Sequence, residues 1–467
     1  MSAPDCPALS TAWLAPDEAL VPARLAQVDA RYPAPAALET GAAALITALR
    51  EGPPDGGFVG ALLAEFGLDS AEGTALMCLA EALGRAPDAG TADRLIADLL
   101  RGADWSAHLR HAPLWQVNAA AWGLVVAGRV EDWAHDATAS LGGALHRLVG
   151  HGGETLVRAA LQRALGMLGQ QFVFAPDMAG ALKRTRQFAG ETFSFDLLGE
   201  AALTQDEADA YLAGYHDAVE ALARAGAGGH ALSVKLSALH PRYEESQRQR
   251  VLRELVPRLR ALVGKAARAG LAVTVDAEES RRLELMLDVF EAVARANASG
   301  RAGPFGLAVQ AYQKRAPAVL DWLAELAAGL GTRVPVRLVK GAYWDGEVKR
   351  AQALGLDDYP VYTRKAATDV AYLACAGQLL DAAPHLAAQF ATHNAHTVTA
   401  LRAIAAGHDH EFQRLHGMGE GLYRTLRAQD PALRCRVYAP VGPQPTLLAY
   451  LVRRLLENGA NTSFVHH

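Results

Sequence analysis

Only four cysteines occur in 467 residues, Cys6, Cys78, Cys375 and Cys435, and they lie far apart, which argues against a disulfide framework or a zinc site. No run of about 18 uninterrupted apolar residues is present, so no transmembrane segment is predicted. The opening Met1-Ser2-Ala3-Pro4-Asp5 lacks the charged-then-apolar pattern of a signal peptide, and a cytoplasmic chain is expected. Basic blocks are missing too. With a formal net charge of −5, no nucleic-acid partner is predicted. There is no convincing internal repeat. His466 and His467 follow Phe464-Val465 abruptly and read as a tag remnant, so they enter no metal argument.

What the chain does have is an ordinary globular composition, 51% hydrophobic and 20% charged, in more length than one usual domain needs. Residues 1–190 are rich in Ala and Leu at helical spacing, with a helix-start signal at Asp69-Ser70-Ala71-Glu72 ahead of Ala75 to Leu83. They are expected to form a helical arm and α-domain, broken by Pro/Gly clusters at 52–57 and 150–153. After Gly190 the pattern changes, and eight short β-rich runs alternate with long amphipathic segments. The runs are Phe193 to Leu198, Leu232 to Leu236, Leu271 to Ala277, Gly306 to Gln310, Val334 to Lys340, Ala388 to Thr392, Glu411 to Leu415, and Arg434 to Tyr438. Thr204-Gln205-Asp206-Glu207 is a capping box that opens a helix to about Ala225. Strand then helix, eight times over, predicts an α/β fold with a (βα)8 barrel over residues 191–465, and a doubly wound open sheet is the runner-up.

In such a barrel the active site forms at the C-terminal strand ends. From strand two onward these carry Lys235, Asp276, Gln310, Arg337 with Lys340, Thr392-His393-Asn394, Gln413 with Leu415, and Tyr438. A lone Asp after a strand is often only a helix cap, and a lone Lys is often solvated. Seven strand ends in agreement point to a functional cleft. After strand eight, Arg453 and Arg454 stand side by side between Leu451-Val452 and Leu455-Leu456. One reading is an intrahelical ion pair with Glu457, and the other is a clamp on a small planar carboxylate. Placing their helix directly after strand eight brings them to the face that holds Lys235 and Asp276, which favours the clamp.

Three motif-like strings are set aside. Gly226 to Ala231 follows a helix and enters a strand, the reverse of a dinucleotide fingerprint. Gly417-Met418-Gly419 lacks a third glycine and reads as a turn. His393 and His396 lie on a loop with no carboxylate nearby in sequence, so no metal is predicted.

The strings Ser233 to Tyr243, Asp276 to Glu279, Gln310 to Arg315, Arg337 to Trp344, Tyr362 to Lys365, Phe390 to His396 and Tyr438 to Val465 resemble the proline dehydrogenase domain of the proline utilization A family. Ala75 to Leu83 and Gly102 to Trp105 extend the resemblance into the helical half. It implies a distorted TIM-like barrel, non-covalent FAD, and L-proline oxidised to Δ1-pyrroline-5-carboxylate by hydride transfer to flavin N5. Electrons would pass to a membrane quinone, with any membrane contact peripheral at the inner membrane.

The resemblance also implies residue roles. Lys235, Arg453 and Arg454 would hold the proline carboxylate, and Asp276 would neutralise and position one of those cations. Tyr343, Leu415 and Tyr438 would wall the apolar edge of the ring. Arg337, Val339, Lys340, Gly341, Ala342 and Trp344 would lie beside the isoalloxazine and phosphates, with Gln310 on the ring system. Thr363, Lys365, Thr392, His393, Asn394 and Gln413 fall on positions for pyrophosphate, ribose or adenine, and Glu457, Ser463 and Phe464 complete the adenosine end. No general base stands out, so solvent is expected to take the amine proton.

Two departures from the family pattern stand out. The aldehyde dehydrogenase domain of full-length members does not follow Val465, so an excised catalytic domain without the second activity is expected. The ribbon-helix-helix segment of some members does not precede the helices, so transcriptional autoregulation is not expected. Two rivals are a flavin-free barrel aldolase or lyase with Lys235 or Lys340 as Schiff-base nucleophile, and an inert scaffold whose helical half binds a partner.

Overall fold

The structure, a computed structural model, describes residues 7–52, 172–188, 190–226, 228–297 and 304–442. Eight parallel strands close into a barrel in chain order, so the barrel is present and the open sheet is excluded. They are β1 (Thr192–Leu197), β2 (Ala231–Val234), β3 (Ala272–Val275), β4 (Phe305–Gln310), β5 (Val334–Val339), β6 (Leu386–Ala391), β7 (His410–Leu415) and β8 (Cys435–Val441). All eight predicted runs are strands, and the largest revision is β8. Tyr438 lies at its middle rather than its end, because Pro440 and Val441 continue the ladder opposite Asp196 and Leu197 of β1. A proline there reads as a stop, yet its carbonyl still accepts from the Phe174 N–H at 2.8 Å.

Among the described residues the helices are α1 (Pro7–Ala12), α2 (Asp17–Arg31), α3 (Pro35–Glu51), α4 (Met178–Thr185), α5 (Gln205–Arg224), α6 (Arg248–Arg268), α7 (Leu283–Asn297), α8 (Ala316–Leu330), α9 (Trp344–Leu354), α10 (Lys365–Asp381), α11 (Ala395–Ala405) and α12 (Glu420–Gln429). The capping box forms as predicted at the start of α5: the Thr204 hydroxyl accepts from Glu207 N–H at 3.2 Å. The Glu207 carboxylate reaches back to Leu203 N–H at 2.7 Å, one residue earlier than the ideal motif. In α6 one face buries Val251, Leu255, Leu259, Leu262, Val263 and Ala266, the three- and four-residue spacing of a helix lying on a sheet. Helix α8 ends where Gly331 takes a left-handed φ of 61°, a conformation that costs other residues about 1 kcal/mol.

The described residues belong almost entirely to one compact unit, Met1–Pro53 with Phe174–Gly442. Within it the N-terminal arm packs on the barrel's outer helices. Tyr32 and Leu38 bury against Ala400 of α11, and Leu20 and Val21 cover Tyr362, Ala367 and Ala371 around the start of α10. Arg31 pairs with Asp381 at 2.7 Å, but both are partly exposed, so the apolar contacts hold the arm more than the ion pair does. Cys375 and Cys435 are free and buried, as core filler. A second unit, Pro54–Val173 with Pro443–His467, falls almost wholly outside the described residues, and with it lie Cys78, the helix signal at Asp69, and Arg453, Arg454, Glu457, Ser463 and Phe464. No described helix is long and apolar enough to cross a membrane.

Candidate active site

The strands project alternate side chains into the lumen, and on β1 the order Phe193-Ser194-Phe195-Asp196 divides cleanly. The phenylalanines pack outward on Phe174 and His230, while Ser194 and Asp196 face inward. Arg337 of β5 spans the lumen. Its Nη1 donates to Asp276 Oδ1 at 2.6 Å, its Nε to Gln413 Oε1 at 2.6 Å, and its Nη2 to the Ser194 and Ser233 hydroxyls at 3.1 and 3.0 Å. The guanidinium carbon lies 5.1 Å from the centre of the Tyr438 ring, within cation–π range. Five strands thus meet on one guanidinium, which fills the upper lumen as a packed polar layer.

Lys235, just beyond β2, completes the cluster. Its Nζ lies 2.6 Å from Asp196 Oδ1, 3.5 Å from Asp276 Oδ2 and 3.4 Å from the Tyr438 hydroxyl, which donates to Asp276 Oδ2 at 2.7 Å. Two carboxylates therefore face one ammonium and one guanidinium, all of them buried. Burial alone would push the Lys235 pKa down, but Asp196 and then Asp276 outweigh it and raise the pKa, so the ammonium stays charged. Asp276 neutralises Arg337 at closer range than Lys235. The nearer partner of Lys235 is Asp196, a site residue that the strand ends from β2 onward do not include; the alternation of aromatic and polar residues in β1 carries its signal.

The loop after β3 is locked from behind. Glu278 accepts from Ser237 N–H at 3.0 Å and Arg282 Nη1 at 2.8 Å, and Glu347 of α9 accepts from the N–H and hydroxyl of Ser280 at 2.5 and 2.6 Å. Burial raises the pKa of both glutamates. Gln310 ties the loops after β3 and β5 together, donating to Glu278 O at 2.8 Å and accepting from Ala342 N–H at 3.2 Å. Beside Ala342, Gly341 has φ 149°, and a Cβ there would stand 2.4 Å from the Tyr312 ring, so only glycine fits. Tyr343 and Leu415 are half-buried, and Trp344 is 42% exposed with its indole N–H on Tyr362 O at 2.9 Å.

The mouth beside β5 and β6 is built differently. Lys340 and Lys365 share one carboxylate, Asp369, at 2.6 and 2.9 Å. Burial lowers the Lys340 pKa more than Asp369 raises it. Val339 ends β5 half-buried just before Lys340. Thr392, His393 and Asn394 follow β6, where the Asn394 side chain caps α11 through Thr397 N–H at 2.9 Å. His393 Nε2 accepts from Leu415 N–H at 3.0 Å, which leaves any ring proton on Nδ1. Gly419, at φ 65°, lets His393 approach; a Cβ would meet its ring at 2.9 Å. Thr363 leads into α10.

This donor set fits the phosphates of a dinucleotide. Two ammoniums on one carboxylate leave a net positive charge, α11 begins at Ala395 just after β6, and the start of α10 is tied to Lys340 through Asp369, an arrangement in which helix N-termini favour anions. At the top of the lumen Gln310 and Arg337 are held in place by protein partners. Gln413 belongs to the lumen network rather than to the outer loops, since it accepts from Arg337 and donates to Glu411 at 3.0 Å.

The profile of a family described as proline dehydrogenase matches residues 180–467, and one described as the DNA-binding domain of proline dehydrogenase matches residues 58–172. The chain is 46% identical over 479 residues to the bifunctional protein PutA of Klebsiella aerogenes, covering 98% of this chain and 36% of that protein. It is 26% identical over 319 residues to proline dehydrogenase 1 of Bacillus subtilis, covering 67% of this chain and 94% of that protein. A crystal structure of Bradyrhizobium japonicum proline utilization A superposes with a TM-score of 0.71 at 44% identity, over 97% of this chain and 46% of that one. The chain thus spans about a third of the length of the PutA relative.

Proposed function

The chain belongs to the proline dehydrogenase family, and on that premise we propose that it oxidises L-proline to Δ1-pyrroline-5-carboxylate with non-covalent FAD and passes the electrons to a quinone. This is the first step of proline catabolism. FAD, which Lys340, Lys365 and the loops after β5 and β6 would hold, would supply the two-electron acceptor. The observation that carries the reading is the cluster of Lys235, Asp196, Asp276, Arg337 and Tyr438, buried together in the barrel lumen. Asp196 and Asp276 keep Lys235 protonated and fixed. Arg453 and Arg454 would then bring a surplus of positive charge that a substrate carboxylate offsets. That carboxylate orients the ring, while Tyr343, Leu415 and Tyr438 wall its apolar edge and exclude water. Both carboxylates of the cluster face cations, and in this reading the amine proton goes to solvent.

Asp196 and Asp276 raise the Lys235 pKa and hold its ammonium charged, which makes it a poor Schiff-base nucleophile and works against the aldolase reading at that residue. We propose no nucleic-acid partner, although residues 58–172 match a family described as the DNA-binding domain of proline dehydrogenase. Residues 58–172 hold eight Arg and no Lys against twelve Asp and Glu, a net of −4, where DNA binding draws on a basic surface. The reaction is tested by spectroscopy on the purified protein. A yellow protein whose flavin absorbance bleaches anaerobically on adding L-proline supports the reading; a colourless one that takes up no added FAD sinks it.

A further inference from the structure

Asp17, the first residue of α2 on the N-terminal arm, reaches the loop that leads into α10. Its Oδ2 accepts from both the N–H and the hydroxyl of Thr363, at 3.0 and 2.9 Å. Its Oδ1 lies 3.0 Å from the Nζ of Lys314, a lysine with no solvent exposure that also pairs with Asp358 at 3.0 Å. Around this contact the segment before Thr363 is held from both sides. Lys314 N–H donates to Pro360 O at 3.2 Å, Tyr362 N–H donates to Tyr312 O at 2.9 Å, and Val361 bridges Gln313. Leu20 and Val21, one helical turn beyond Asp17, cover Tyr362 and Ala367.

We propose that Asp17 is a positioning residue of the flavin site, coupling docking of the arm to cofactor binding through Thr363. The proposal rests on the assignment of Thr363 and Lys365 to the cofactor. Removing the aspartate leaves a buried ammonium with one carboxylate instead of two and frees the Thr363 donors, so the loop loses the geometry in which it meets the cofactor. Coupling of this kind is reciprocal: if the docked arm favours flavin, flavin favours the docked arm by the same factor. An anchor that served only stability would lower the melting temperature and leave cofactor affinity where it was.

The test uses the full chain stripped of flavin, with FAD affinity read by fluorescence quenching and amide exchange read over residues 17–31. Adding FAD to the wild type is expected to slow exchange in that segment. Asp17→Ala should weaken FAD about tenfold and abolish the slowing. Asp17→Asn, which keeps an acceptor for Thr363 but no charge for Lys314, should lose less, about threefold. Thr363→Val combined with Asp17→Ala should cost less than the sum of the single changes. An Asp17→Ala protein that melts earlier yet binds FAD as tightly as the wild type overturns the proposal, as does additivity of the pair or an Asn variant as weak as the Ala variant. A wild type that binds no FAD at all refutes the functional reading instead.

Discussion

The two halves of the barrel mouth solve different problems with different materials. On the side of β1, β2, β3 and β8, Asp196, Lys235, Asp276 and Tyr438 sit on strands or within one residue of a strand end, buried and mutually paired within 3.5 Å. On the side of β5 and β6, Lys340, Thr363, Lys365 and Thr392 to Asn394 sit on loops and helix starts, and Thr363 and Lys365 are exposed. The first half is a network of buried charges, each held by more than one partner: Lys235 faces Asp196 and Asp276, and Asp276 faces Arg337, Lys235 and the Tyr438 hydroxyl. The second is more open, with Lys365 exposed and Lys340 half-buried on one shared carboxylate, and its Thr363 is tied from outside by Asp17 of the arm. A small carboxylate needs the first kind of surface, and a long phosphate-bearing cofactor needs the second.

That division predicts that changes on the two sides separate substrate from cofactor. Lys235→Met should give the largest effect, with kcat/KM for L-proline down roughly a thousandfold, about 4 kcal/mol of lost interaction at a buried ion pair, while FAD remains bound. Arg454→Met should act in the same direction, chiefly on KM. Steady-state kinetics with measured flavin content checks both, and a Lys235→Met protein that loses FAD in proportion to activity would merge the two halves. Lys340→Met should do the opposite, weakening FAD roughly tenfold to a hundredfold with little change in the KM of the flavin-loaded fraction. Equilibrium binding to the flavin-free protein reads it out.

A smaller effect falls on the outer wall, where His416 follows β7, is 5% exposed and meets Phe174 edge-on at 5.1 Å. Burial first, then Arg184 and Arg414, push its pKa from 6.5 down to about 3. A base depressed in the fold is neutral there and protonates more readily when unfolded. Its contribution to stability is therefore complete above pH 6.5 and lost as pH falls toward 3. Between pH 7 and 5 the loss should be about 2 kcal/mol by urea unfolding, and His416→Leu should flatten that dependence. Equal losses in variant and wild type would rule the histidine out.

The same contrast explains what the sequence made legible. Eight alternating runs predicted the barrel, because parallel strands covered on both faces read as short apolar segments, and the inward residues at their ends were named directly. Asp196 follows the same logic, since β1 alternates aromatic and polar residues and turns Ser194 and Asp196 inward. Arg337 and Gln413 were assigned to the cofactor by resemblance, but their partners, Ser194, Ser233 and Asp276, come from strands far apart in sequence and appear only when the barrel closes. The cofactor side was legible through motif resemblance alone. Nothing local in Thr363 announces a bond to Asp17, 346 residues earlier.

In the proposed reaction the buried lumen cluster holds proline for hydride transfer to a flavin seated on the neighbouring loops. Anaerobic mixing of L-proline with the flavin-loaded protein tests it most directly. The account predicts rapid bleaching in the wild type and, in Lys235→Met with its flavin still bound, a rate lower by about a thousandfold at limiting proline. Bleaching of that variant at the wild-type rate would contradict it.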